Sequence, residues 1–418
     1  MRRRSWTDKH VLIRLILVSG LSWPGLFSAN AADDPVAAAR ATTLERIQAL
    51  RKERPNDGLL LFYQALLQSE LGERDPALEL LRSLKGRKLG LVPYSNSGFD
   101  KVWADPKFQE IRQTLSDEEP QTPVSPVAFR LEDPKLIPEG IAFDPKGHRF
   151  FIGSIAQRKI MVTNGKGEAR DFSKPSDKLD GILGIRIDPA RDQLYAVSTN
   201  GSDESAKKVR RNAVIHYDLK TERMVDRFPA PEALQLNDLA TAADGTIYVT
   251  DSESGTLYRK KPGETVLTPF GATGALRGAN GITISSDGIL YVTLSTGIAR
   301  VDIATGEPTR LLQPDTVVTG GIDGLYWYEG DLVGVQNGPN PGRVIRVALT
   351  DKGTRIAGLT VLQSHHHPAF DEPTTGAIAN GILYVIGNSY VGHYQPDGTI
   401  KNANELKGPA IFAVPLRR

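Results

Sequence analysis

The 418-residue chain contains no cysteine. That excludes disulfide bonds, thiolate catalysis and cysteine-ligated zinc or iron–sulfur sites. Past its first 31 residues the chain holds no segment apolar enough to span a bilayer. It has no long basic run in its body, and 51 basic residues stand against 49 acidic ones, so nucleic acid is not an expected partner. No glycine-rich phosphate loop stands between a strand and a helix, and there is no Gly-x-Ser-x-Gly elbow. With 40% hydrophobic and 24% charged residues the composition is that of a globular protein, and its length calls for at least two folded units.

Residues 1–31 read as a signal peptide. Arg2, Arg3, Arg4 and Lys9 precede an apolar stretch near 15–27, and Ala29-Asn30-Ala31 fits a small-residue cleavage site. Arg14 and the Trp23-Pro24-Gly25 interruption leave the segment too short and broken for a membrane anchor. An exported, periplasmic or extracellular protein is expected, and removing five basic residues and Asp8 turns the formal charge from +2 to −2.

Residues 32–116 read as helical. Leu44, Ile47 and Leu50 share one face of an Ala-rich run, and a second apolar-periodic run over 58–71 ends at Gly72. Gly58 to Ala65 and Leu71 to Leu81 together resemble a tetratricopeptide helix pair, with Asp105-Pro106 opening one more short helix. A single such repeat implies either a helical cap on the rest of the chain or a partner-binding groove. Residues 117–126 are polar and hold three prolines, which predicts a stiff spacer between domains.

From residue 127 onward the period changes. The phrase Asn237-Asp238-Leu239, followed by Asp244-Gly245 and a β-branched run, recurs at Glu139-Gly140, Leu183-Gly184, Asn280-Gly281, Asp323-Gly324 and Thr375-Gly376. The second residues of these pairs are spaced by 44, 54, 43, 43 and 52 residues. All-strand repeats of this length define a β-propeller, so the expected fold is an all-β six-bladed propeller over 127–418 behind a small N-terminal α-helical domain. Either 127–131 or 410–414 could supply the strand that seals the ring.

The residue before each second position reads Glu139, Leu183, Asn237, Asn280, Asp323 and Thr375. Inner strands of a propeller border its axis, so these positions converge there. Two carboxylates and two amides are hard oxygen donors of the kind Ca2+ prefers, although another divalent cation could use them. Asn-Gly and Asp-Gly are also ordinary turn dipeptides. Their shared register in six strands is what favours a site.

On these motifs residues 127–418 resemble the six-bladed, calcium-dependent propellers of the gluconolactonase and regucalcin family and, more distantly, paraoxonases and strictosidine synthases. The resemblance implies metal ligands at Glu139 in Pro-Glu-Gly, Asn237 in Leu-Asn-Asp, Asn280 in Ala-Asn-Gly and Asp323 in Ile-Asp-Gly. It implies no ligand at Leu183 and a substrate-facing role for Asp238. Several sugar-lactone enzymes carry arginine where Gln235-Leu236 stand, which sets this chain apart from gluconate-type substrates. The expected activity is hydrolysis of a small lactone or ester, with Asp323 as base and Asp238 as the alternative. A non-catalytic propeller that binds a protein or glycan is the competing expectation. His365-His366-His367, near Asp371 and Glu372, is a rival ligand cluster; alternation of side chains along a strand argues for a solvated loop instead.

Overall fold

The structure, a computed structural model, describes residues 35–166 and 168–417. The expected signal segment lies outside the described residues. Among them, no helix is long and apolar enough to cross a membrane.

Four helices come first: α1 (Pro35–Glu53), α2 (Gly58–Leu71), α3 (Arg74–Arg82) and α4 (Pro106–Asp117). Asp57 caps α2 by accepting from the N–H groups of Leu59 and Leu60, and Gly72 ends it at φ 89°. Asp105 caps α4 in the same way through Lys107, with Pro106 at the first helical position. Leu59, Leu60, Phe62, Phe99, Phe108 and Ile111 form their core, and Val318 of the propeller belongs to it.

The propeller opens with β1 (Val127–Arg130). Blade one is β2 (Pro138–Asp144), β3 (Arg149–Ser154), β4 (Lys159–Thr163) and β5 (Ala169–Asp171); blade two is β6 (Gly181–Asp188), β7 (Gln193–Thr199), β8 (Asn212–Asp218) and β9 (Arg223–Pro229). Blade three is β10 (Leu236–Thr241), β11 (Ile247–Asp251), β12 (Thr256–Lys260) and β13 (Thr268–Phe270); blade four is β14 (Ile282–Ile284), β15 (Leu290–Leu294), β16 (Gly297–Val301) and β17 (Pro308–Arg310). Blade five is β18 (Ile322–Tyr328), β19 (Asp331–Gln336), β20 (Arg343–Thr350) and β21 (Arg355–Gln363). Blade six combines β22 (Gly376–Ala379), β23 (Ile382–Ile386) and β24 (Ala410–Pro415) with β1, in the order β1-β24-β23-β22. Both candidate sealing segments therefore take part. β24 is the third strand of the blade, and β1 closes the ring as its outermost strand, Val127 opposite Phe412 and Arg130 opposite Ala410. Closure joins the first and last strands in one blade, so the ring is sealed without a gap between blades six and one.

The hydrophobic cores sit between neighbouring blades, for example Phe151, Ile182, Ile185 and Tyr217 between blades one and two. Every blade is thus buried on both faces, which is why the second strands are continuous apolar runs such as Ile247–Val249.

Each inner strand starts at the same end of the ring, and in blades one, two, three and five the motif pair there is a β-bulge rather than a turn. In blade one, Pro138 faces Ser154 and Ile141 faces Ile152, so Glu139 and Gly140 share one partner residue. The same slip brackets 183–184, 237–238 and 323–324. A bulge re-aims a side chain, here toward the axis. The glycines are required by crowding at the axis. A Cβ on Gly281 would lie 2.2 Å from the carbonyl oxygen of Asp323 in the next blade. Gly281→Ala should therefore destabilise the protein by about 1–3 kcal/mol. An unchanged urea midpoint would show that the inner strands have slack.

The helical domain sits on this same end, over blades four to six. Tyr63 donates its hydroxyl to Ser295 O (3.1 Å) and Val92 its N–H to Pro339 O (3.1 Å). The stretch 117–126 is not a free spacer: Glu119 and Ser125 are buried, and Ser125 N–H donates to Gln363 Oε1 at 2.8 Å. The three histidines are neither a solvated loop nor metal ligands. His365 Nε2 meets Ser116 Oγ (3.0 Å) and His366 Nε2 meets Ser116 O (3.1 Å). His367 Nε2 donates to Ser125 O (3.0 Å) while its Nδ1 accepts from Ala369 N–H (3.2 Å), which fixes a neutral ring. Over blades one to three lies an insertion that the repeat pattern did not reveal, residues 387–409 between β23 and β24. Its Tyr390 and Tyr394 pack with Ile137, Ile155 and Leu236, and Tyr394 donates to Asp203 Oδ1 at 2.8 Å.

Candidate functional site

The bulges bring Glu139, Asn237, Asp238 and Asp323 together at the axis, with Asn280 reaching it from just before β14. Glu139, Asp238 and Asp323 are 6%, 2% and 7% exposed, so their charges have little water to share. Glu139 Oε2 and Asp323 Oδ1 are buried oxygens with no hydrogen-bond partner. The other Asp323 oxygen accepts from Asn337 Nδ2 at 2.8 Å. Asn237 spends its amide N–H on Ser252 Oγ (2.8 Å), which in turn donates to Ala279 O.

Burial pushes Asp323 up to about 6 against the hydrogen bond from Asn337, with the Asp238 charge adding to the rise. Glu139 is driven well above the usual carboxylate range by burial first and then by the charges of Asp323 and Asp238, while Arg186 opposes the rise. Both carboxyls bind their protons more tightly folded than unfolded. In the cation-free protein this term stabilises the fold below about pH 4 and is lost as pH rises through Asp323's value. A divalent cation would compensate the ionised pair. Ca2+ should therefore raise Tm far more at pH 8 than at pH 5, and an equal shift at both would contradict this electrostatic account.

The remaining ring positions do other work. Leu183 is buried in the apolar core. Thr375 donates its hydroxyl to Glu139 O at 2.5 Å, so it ties blade six to blade one instead of facing a ligand. Asp238 is fully engaged: Oδ2 accepts from Arg186 Nη2 at 2.6 Å and Oδ1 from Leu239 N–H at 2.8 Å. Burial disfavours the Arg186 charge, but Asp238 more than restores it. The same guanidinium lies 5.3 Å from the centre of the Tyr326 ring, whose hydroxyl accepts from Gly376 N–H at 2.6 Å. Arg186 and Asn337 escaped the motif reading. The one available signal was an arginine inside the otherwise apolar run Ile182–Ile187, since a charged residue in a strand buried on both faces needs a buried partner.

The donor chemistry fits a hard cation: two carboxylates that repel each other, unpartnered oxygens on both, and amides alongside. Glu139, Asn237, Asn280 and Asp323 would hold it. The set has only two carboxylates, because Asp238 is paired with Arg186. Among the described residues there is no cluster of three or more His, Cys, Asp or Glu side chains poised for a metal.

No protein-family model and no curated protein sequence matches the chain. Solved structures of similar shape include PQQ-bound aldose sugar dehydrogenase from Streptomyces coelicolor, 16% identical over 70% of this chain and 98% of that one, with TM-score 0.47. A gluconolactonase from Xanthomonas campestris is 18% identical over 71% of this chain and 99% of that one, TM-score 0.46. Virginiamycin B lyase from Staphylococcus aureus with quinupristin is 14% identical over 62% and 94%, TM-score 0.42. Likenesses this distant concern the fold and leave the chemistry to be argued from the site.

Proposed function

We propose that the protein is an exported, calcium-dependent hydrolase of lactones or related esters. The observation that carries the reading is the buried pair Glu139 and Asp323, each with one unpartnered oxygen, at the one place where all six blades meet. Glu139, Asn237, Asn280 and Asp323 would hold the cation, which when bound supplies positive charge for a substrate carbonyl oxygen. Asp323 is the base: its Oδ1 is buried without a hydrogen-bond partner and can take a proton from a water held beside the cation. Asn337 holds the carboxylate in place. Asp238, locked to Arg186, keeps that cation neutralised beneath the site.

The test is a panel of small lactones and aryl esters, assayed with Ca2+ and after chelation. Turnover that chelation abolishes and Ca2+ restores is expected. A panel without turnover, or turnover indifferent to chelation, sinks the reading. In that case the binding alternative gains, favoured by a cavity of about 790 Å3 in the helical domain lined by Arg51, Gln64, Gln68, Ser83 and Arg87.

A further inference from the structure

The helical domain grips the propeller at the loop 337–342 between β19 and β20, and this loop carries the amide that holds Asp323. Val92 N–H donates to Pro339 O (3.1 Å), and the Tyr94 hydroxyl donates to Asn337 O (3.3 Å). Where the loop rejoins β20, the Arg343 side chain is 2% exposed and pairs with Glu119 at 3.0 Å. Its other nitrogens donate to Leu89 O (3.2 Å) and Gln336 Oε1 (2.7 Å). From the propeller side, Asn337 N–H donates to Gly321 O at 3.2 Å. Between these grips Asn337 Nδ2 is shared by Asp323 Oδ2 and Pro373 O, both at 2.8 Å. The fit is close: Gly90 has φ +70°, and a Cβ there would lie 1.8 Å from Arg343 Nη1.

We propose that the helical domain is a positioning element of the axial site: through Val92, Tyr94 and Arg343 it sets where the Asn337 amide stands, and thereby where Asp323 points. The path is a short chain of direct contacts between rigid parts, the physical condition for coupling two regions. Its effect on cation binding rests on the functional reading above; its effect on Asn337 does not. Tyr94 and Asn337 are positioning residues here.

Tyr94→Phe removes one hydroxyl at nearly constant volume, and Gly90→Ala pushes the two domains apart without touching the axis. Glu45→Gln, exposed on α1, is the control. In the full-length protein the side-chain amide signals of Asn337, identified by their loss in Asn337→Ala, should shift in the first two variants and stay in place in the control. Calorimetry with Ca2+ should show affinity weakened by about two- to thirtyfold in the same two. If both variants fold and leave the Asn337 amide signals unmoved, the proposal is overturned. If the unaltered protein binds no Ca2+, the functional reading falls, and the amide signals alone decide the positioning role.

Discussion

Asp323→Asn should lower kcat/KM for lactone opening by about 10³-fold, the usual weight of a positioned general base. The substitution keeps the shape of the side chain, and its amide oxygen can still accept from Asn337 Nδ2. What it removes is the proton acceptor and one negative charge. With that charge gone, the rise in Glu139 due to Asp323 disappears, so Glu139 should ionise more readily. Ca2+ affinity separates the two roles of Asp323. A rate collapse with affinity changed only a few-fold assigns it as base; parallel losses assign it as ligand. Full activity in the metal-free Asp323→Asn protein would falsify the mechanism. Asp238→Asn serves as the contrast. It strands the Arg186 guanidinium without its partner, so the damage should appear first as lost stability.

The second large effect is expected at the domain junction. Arg343 and Glu119 are 2% and 1% exposed in their side chains and bonded to each other through both carboxylate oxygens. Removing one partner leaves a buried charge unpaired, so Glu119→Ala or Arg343→Ala should each cost about 3–5 kcal/mol. The double replacement Glu119→Leu with Arg343→Met should recover most of that loss, because two apolar groups replace two charges together. Urea unfolding of the full-length protein checks both, and singles costing under about 1 kcal/mol would mean that water reaches the pair. This bond also bears on how the domains relate. Val318 lies in the helical core, so cutting away residues 33–115 would expose apolar surface on the propeller instead of releasing an independent module.

The repeat in the sequence was legible because it obeys a geometric rule. Inner strands that crowd an axis favour a glycine beside a side chain they aim inward, and Glu139-Gly140, Asn280-Gly281 and Asp323-Gly324 show that pattern openly, whereas Asn237 is followed by Asp238. The physical reason was less visible. These dipeptides look like turns, and only strand pairing reveals Glu139-Gly140 and Asp323-Gly324 as bulges. Arg186 and Asn337 stayed hidden because each acts through a partner from a different blade or loop, and spacing along the chain does not record such meetings. The same holds for His365, His366 and His367. Their clustering suggested metal or solvent, whereas His365 and His366 bind Ser116 at the end of α4 and His367 binds Ser125 in the segment that joins the two domains. Insertion 387–409 lacks a motif and interrupts the last repeat, so its packing over blades one to three followed from tertiary contacts alone.

The pairing of Val127 with Phe412 has a consequence for how the molecule is made. A ribosome emits residue 127 long before residue 412, so the first-made strand must wait, unmatched, until almost the whole polypeptide has emerged. Contacts of such sequence separation are slow to form.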